Sequence, residues 1–183
     1  MSYLLTSLSP YLLRNMNKVA LLIGGNEGDR RALIDQATVL IQQRIGAAVA
    51  ISSVYETEPW GDFGEESGEQ RVENFLNCAL LVETSLRAQE VLHEALAIEK
   101  ELGRERPLPT IHYPLPTKRY HSRPMDIDII FYNDEVISTP DLMVPHPRMH
   151  LRHFVLEPLA EIMPDYRHPL LGKTVRELLD ELQ

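Results

Sequence analysis

The chain has 183 residues, with 27 acidic side chains against 18 basic ones and a formal net charge of −9. That length suits one domain with a sizeable core, and 44% hydrophobic with 25% charged residues excludes wholesale disorder. The acidic balance argues against a general nucleic-acid or anionic-membrane binder, which needs a basic face. One cysteine, Cys78, excludes an internal disulfide and a multi-cysteine zinc site, and it points to a reducing cytoplasm.

Residues 1–17 read as a loose N-terminal extension before a single domain over 18–183. The segment Met1–Met16 has no basic leader, and Pro10 interrupts its apolar stretch, which argues against a signal peptide. No stretch approaches the roughly 18 apolar residues of a membrane span. Val19–Ile23 predicts a buried strand, and Gly24-Gly25-Asn26 a turn that ends it. Asp29 then caps a helix carrying Leu33, Ala37, Leu40, Ile41 and Ile45, with Gly46 as its stop. Alternation from Val49 to Thr57 predicts one strand with Val49, Ile51, Ser53 and Tyr55 on a common face.

An acidic, glycine-containing loop around Gly61–Glu73 follows, with the composition of a mobile segment. Phe75–Glu83 predicts a third strand, with Leu76, Cys78, Leu80 and Val82 on one face and Phe75, Asn77, Ala79 and Leu81 on the other. Ser85 is expected to cap a second helix bearing Val91, Leu92, Ala95, Ile98 and Leu102, ended by Gly103. After a proline-rich loop, Met125–Tyr132 predicts a fourth strand. The order β-α-β-β-α-β predicts an α+β fold: a ferredoxin-like antiparallel sheet with helices packed on it. Beyond it come a short strand at Glu135–Ile137 and a C-terminal helical extension. The extension holds a helix around Leu151–Glu161 and a last one opened by the capping box Thr174-Val-Arg-Glu177.

The strongest chemical signal is Asp126-Ile-Asp128. Side chains alternate along a strand, so both carboxylates share one face about 6.6–7 Å apart. At an effective dielectric of 20 they repel by roughly 2.4 kcal/mol. Such a pair calls for a compensating cation. Magnesium suits it, since that ion prefers hard oxygens and completes its shell with water and substrate phosphates. Two ions bridged by the pair fit phosphoryl-transfer chemistry. Arg104, Arg106, Lys118, Arg119 and Arg123 stand against Glu105 alone, a formal +4 segment that leads into this strand. Guanidinium forks there suit phosphate oxygens.

The segment Pro145–Phe154 holds three of the seven histidines, His146, His150 and His153. No carboxylate or cysteine completes a tetrahedral set, so zinc is not expected, and His146 with Arg148 and Arg152 suits a phosphate or ribose instead. Neither a Gly-rich P-loop nor the protein-kinase signature set occurs.

Arg119-Tyr-His-Ser-Arg-Pro-Met-Asp-Ile-Asp-Ile-Ile130 resembles the signature of the 6-hydroxymethyl-7,8-dihydropterin pyrophosphokinase family. Further matches follow in order: Gly24-Gly25-Asn26, Tyr55-x-Thr57-x-Pro59, Phe75-Leu-Asn77, Ile98-Glu99, Gly103-Arg104 and Val144-Pro-His-Pro-Arg-Met149. The resemblance runs from about Lys18 to the C-terminus. It implies a ferredoxin-like core and transfer of pyrophosphate from ATP to the pterin hydroxymethyl group, with AMP released. It further implies that Asp126 and Asp128 hold two magnesium ions and that Arg104 and Arg123 neutralise the moving group. Glu99, Arg104, His146, Arg148 and Arg152 would serve ATP. Phe75, Asn77, Phe154, Trp60 and Arg123 would serve the pterin. A cytoplasmic monomer with small-molecule partners, and neither nucleic acid nor membrane, is the matching expectation. Taken alone, Phe75 and Phe154 read equally well as core aromatics, Trp60 as a loop anchor and Glu99 as a surface charge.

Overall fold

A computed structural model describes residues 16–60, 72–105 and 122–182. The expectations for 1–15, for most of the acidic loop, and for Arg106, Lys118 and Arg119 fall outside these residues.

Strand β1 (Asn17–Gly25) pairs antiparallel with both β4 (Phe75–Thr84) and β5 (Asp126–Tyr132), so it is the centre of the sheet. On the far side of β4 lie β2 (Ala47–Ile51) and β3 (Tyr55–Thr57), also antiparallel. The path runs β2-β4-β1-β5, with β3 branching from β4. Helix α1 (Arg30–Arg44) follows β1, and α2 (Ala88–Glu101) follows β4. A small hairpin of β6 (Ile137–Ser138) and β7 (Met143–Val144), then α3 (His153–Ile162) and α4 (Val175–Asp180), complete the described chain. Among the described residues no helix is long and apolar enough to cross a membrane.

Alternation along β1 divides the interior. Val19, Leu21 and Ile23 join Ile34 and Ile41 of α1 and Val91 and Ile98 of α2 in one cluster. Ala20 and Leu22 join Phe131, Leu156, Leu159 and Leu178 in a second cluster on the opposite face. Helices α3 and α4 are therefore a second layer on the sheet and not an appendage. Thr174 and Glu177 cap α4 reciprocally, at 3.1 and 2.7 Å, and Asp29 caps α1 through Ala32 N at 3.1 Å.

Several expectations are corrected. The single strand over Val49–Thr57 breaks at Ser52, whose hydroxyl turns inward to accept from Ala79 N at 2.9 Å. Val49 and Ile51 do share a face, and it is the outer one: they are 51% and 46% exposed, because this edge strand has Ala48 and Ala50 turned toward the interior. Ser85 lies outside the α2 cap; the cap is Arg87, whose backbone N–H donates to Glu90 at 2.8 Å. Gly24 and Gly25 form no turn: they are the last two residues of β1, each paired across to β4. The short strand near residue 135 begins two residues later and needs β7 as its partner.

Candidate active site

Pairing register gathers the site at one end of the sheet. Across β1, Gly24 lies between Asp126 on β5 and Asn77 on β4, while Leu22 faces Asp128. A Cβ on Gly24 would overlap the Asn77 side chain and the Leu76 carbonyl, so only glycine leaves this floor open. Asn77 Nδ2 donates to Thr57 Oγ1 at 2.8 Å, which fixes the amide orientation.

Above that floor is a cavity of about 520 Å³, counting its open mouth. Phe75, Asn77, Trp60, Arg123, Arg152 and Phe154 line it, with Asp126 and Asp128 on one wall. These residues come from β4, β5, the end of β3 and the start of α3, elements far apart in sequence. The Arg152 guanidinium sits 4.6 Å from the Trp60 ring centroid and 5.5 Å from that of Phe154. Arg123 sits 5.6 Å from the Phe75 centroid. Cation–π contact thus holds two cations beside aromatic walls, leaving space for a flat ring between them. Phe75 and Phe154 are only half-buried, unlike the fully buried core aromatic Phe131.

The two carboxylates differ in their surroundings. Asp126 pairs with Arg104 and, at 2.8 Å, with Arg123. Burial works to raise its pKa, but Arg123 and Arg104 outweigh burial and hold the carboxyl below the usual range. Burial, reinforced by the Asp126 charge, pushes Asp128 up to about 7. The pair is thus short of positive charge at Asp128, where a cation would bind.

Glu99, 1% exposed, lies behind this pair: it binds Arg104 at 2.7 Å and accepts from Ile127 N at 2.8 Å. A buried carboxylate beneath Arg104 orients that guanidinium toward Asp126. Asn26, 2% exposed, accepts from Arg123 N at 2.9 Å and donates to Ser122 Oγ at 3.1 Å, so it moors the segment entering β5. The roles of Asn26, Thr57 and Gly24 escape the sequence reading, because the partners that reveal them lie on distant segments of the chain.

A second cavity of about 1110 Å³ adjoins the first and shares Asp128 with it. Its lining mixes apolar side chains, including Leu92, Leu96, Ile129 and Leu142, with polar groups that include His146 and Asp141. Burial and then Arg152 push His146 down to about 4, so its ring is neutral at pH 7. Arg148 is half-buried beside it and donates its backbone N–H to His146 Nδ1 at 3.3 Å. The three histidines separate: His150 faces His168 at 6.4 Å between centroids, and His153 meets the Leu182 carbonyl at 3.1 Å. Among the described residues no group of three or more His, Cys, Asp or Glu side chains converges on a metal position. A cation here would rest on two carboxylates and draw its other ligands from water and a phosphorylated substrate, which is the ligation magnesium favours.

The sequence profile of 7,8-dihydro-6-hydroxymethylpterin-pyrophosphokinase matches residues 20–164. A Porphyromonas gingivalis 2-amino-4-hydroxy-6-hydroxymethyldihydropteridine pyrophosphokinase is 37% identical over 157 residues, covering 82% of this chain and 93% of the relative. The Bacillus subtilis protein of that name is 42% identical over 149 residues, covering 80% and 79%. In shape, the chain resembles the crystal structure of Plasmodium falciparum HPPK-DHPS with a TM-score of 0.68 at 17% identity. That match covers 91% of this chain and 42% of the larger one, so this chain spans under half its length.

Proposed function

The chain belongs to the 7,8-dihydro-6-hydroxymethylpterin-pyrophosphokinase family, and from that premise we infer how its two adjoining cavities divide the reaction. The enzyme transfers pyrophosphate from ATP to the hydroxymethyl group of 6-hydroxymethyl-7,8-dihydropterin, releasing AMP, in folate biosynthesis. In our reading the pterin occupies the aromatic cavity and the nucleoside of ATP the larger one. The observation that carries this division is Asp128, which lines both. The triphosphate then crosses from one cavity to the other over the carboxylate pair.

Phe75 and Phe154 offer aromatic faces to the pterin, and Asn77, held by Thr57, offers its amide to the ring edge. That arrangement turns the hydroxymethyl oxygen toward Asp126 and Asp128. The oxygen attacks the β-phosphorus and gives up its proton to water, the bond from that phosphorus to the α-bridging oxygen breaks, and AMP leaves with the electron pair on that oxygen. Asp126 and Asp128 would hold two magnesium ions, which supply positive charge to the phosphate oxygens when bound. Arg123 and Arg104 face the transferred group, and Glu99 keeps Arg104 aligned. Neutral His146, with Arg148, serves the nucleotide side, while Arg152, beside Trp60 and Phe154 on the pterin wall, meets the nucleotide through its phosphates. Positioning and charge stabilisation carry such a transfer, so no strong base is needed.

The scaffold proposed is the ferredoxin-like βαββαβ core, supported by the antiparallel strand path. Under the same reading the enzyme is a cytoplasmic monomer whose partners are small molecules; its lone cysteine, Cys78, is buried and reduced. The test is AMP release from ATP with magnesium and the hydroxymethyl-dihydropterin. AMP at the level of a control without pterin would refute it.

A further inference from the structure

We propose that Glu161 is a positioning residue for the pterin pocket, latching α3 onto β3 and so setting the gap between Phe154 and the Thr57–Asn77 pair. This deepens the reading above and rests on its assignment of that cavity to the pterin.

The latch is one carboxylate with four hydrogen bonds. Ser53 N–H donates to both oxygens, at 3.0 and 2.9 Å. The Ser53 hydroxyl donates to Oε1 at 3.0 Å, and the Tyr55 hydroxyl donates to Oε2 at 2.9 Å. Two periodicities connect this cluster to the cavity. Phe154 and Glu161 are seven residues apart on α3, about two turns, so they share a helix face some 10.5 Å apart. Tyr55 and Thr57 are two apart on β3 and share a strand face. Thr57 and Phe154 both line the aromatic cavity, while Tyr55 and Glu161 meet outside it. Helix and strand therefore run past each other, with the pocket at one end and the latch at the other.

Strand β3 needs such a support. It has only three residues, paired on one side with β4 at Tyr55↔Asn77, Glu56↔Leu76 and Thr57↔Phe75. The Glu161 carboxylate holds it from α3. Without that hold, Thr57 is free to drift from Asn77, and Trp60, three residues further on, loses its place over Arg152. Glu161 and Ser53 are exposed, and hydrogen bonds open to water add little to global stability. The latch is consequently a device for spacing and not for folding. It never touches the larger cavity and reaches Arg152 only through Trp60, so nucleotide binding should respond far less than pterin binding.

The experiment compares Tyr55→Phe, Glu161→Ala and the double variant by steady-state kinetics, by equilibrium binding of the pterin alone, and by thermal melting. Glu161→Ala is expected to raise the pterin KM and Kd about tenfold, with the ATP KM within about twofold. Its melting midpoint should stay within about 2 °C of wild type. Tyr55→Phe, which keeps the ring and removes one donor, should raise the pterin values about threefold, and the double variant should be no worse than Glu161→Ala, because both act through one latch. Unchanged pterin affinity, additive losses in the double variant, or a parallel fall in pterin affinity, ATP affinity and melting midpoint would each overturn the proposal. If Glu161→Ala does not fold, Tyr55→Phe alone still decides. Wild-type protein that binds pterin but releases no AMP would refute the pyrophosphokinase reading, and pterin binding by the variants would still judge the latch.

Discussion

Replacing each site carboxylate by its amide separates two roles that look alike in sequence. From spacing alone, Asp126→Asn and Asp128→Asn should both relieve repulsion and leave the apo-protein no less stable. The structure divides them. Burial and the Asp126 charge raise Asp128 from the ordinary carboxylate range to about 7, which is worth at most about 4 kcal/mol. Because its folded pKa is raised, native protein binds more protons than unfolded protein between pH 3.8 and 7, and stability falls as pH rises through that window. Asp128→Asn removes this penalty. Solvent reaching the side chain reduces it, so the apo variant should gain about 1–3 kcal/mol at pH 8 and nothing near pH 4. That corresponds to roughly 2–4 °C of melting midpoint per kcal/mol for a chain of this size. Asp126→Asn does the reverse: it strips the partner from Arg123 and one partner from Arg104, whose side chains are 27% and 17% exposed, at a cost of about 1–3 kcal/mol. Both variants should lose about a thousandfold or more in AMP release, since each removes a charge that matters most in the transition state. Melting curves at pH 4, 6 and 8 without metal, beside the AMP assay, test this. Equal destabilisation by both substitutions, or no pH dependence in the Asp128→Asn difference, would refute the assigned asymmetry.

Gly24→Ala should weaken pterin binding at least about tenfold and cost about 1–3 kcal/mol of stability, because its Cβ meets the Asn77 side chain and a backbone carbonyl; titration and urea melting check both. Phe154→Ala should weaken pterin binding much more than binding of an ATP analogue, with a stability loss well short of the 3–5 kcal/mol of a core phenylalanine. Paired ligand titrations beside a melting curve separate the two. His146 should titrate near 4, with its ring neutral through pH 5–8; an NMR midpoint near 6.5 would contradict its burial. Its depressed folded pKa means that it costs stability as pH falls below 6.5 toward 4.

What was legible in the sequence is what local periodicity encodes. A two-residue repeat places Asp126 and Asp128 on one face, and the same repeat separates Cys78 and Leu80 from Asn77 and Ala79. Capping chemistry within four residues marks the starts of α1 and α4. The tertiary structure alone decided which carboxylate meets arginine, because Arg104 reaches Asp126 across 22 residues and rests on a glutamate whose burial no helical pattern reveals. It also decided that Gly24 is a floor and not a turn, since that role depends on Asn77 and Asp126 closing in from two neighbouring strands. The C-terminal helices likewise gain their meaning only when Leu22 and Ala20, on the second face of a doubly buried strand, find Leu156 and Leu159 to cover them. Spacing along a chain specifies which way a side chain points. Its electrostatic partner, and hence its protonation and its chemistry, come from segments that only folding brings near.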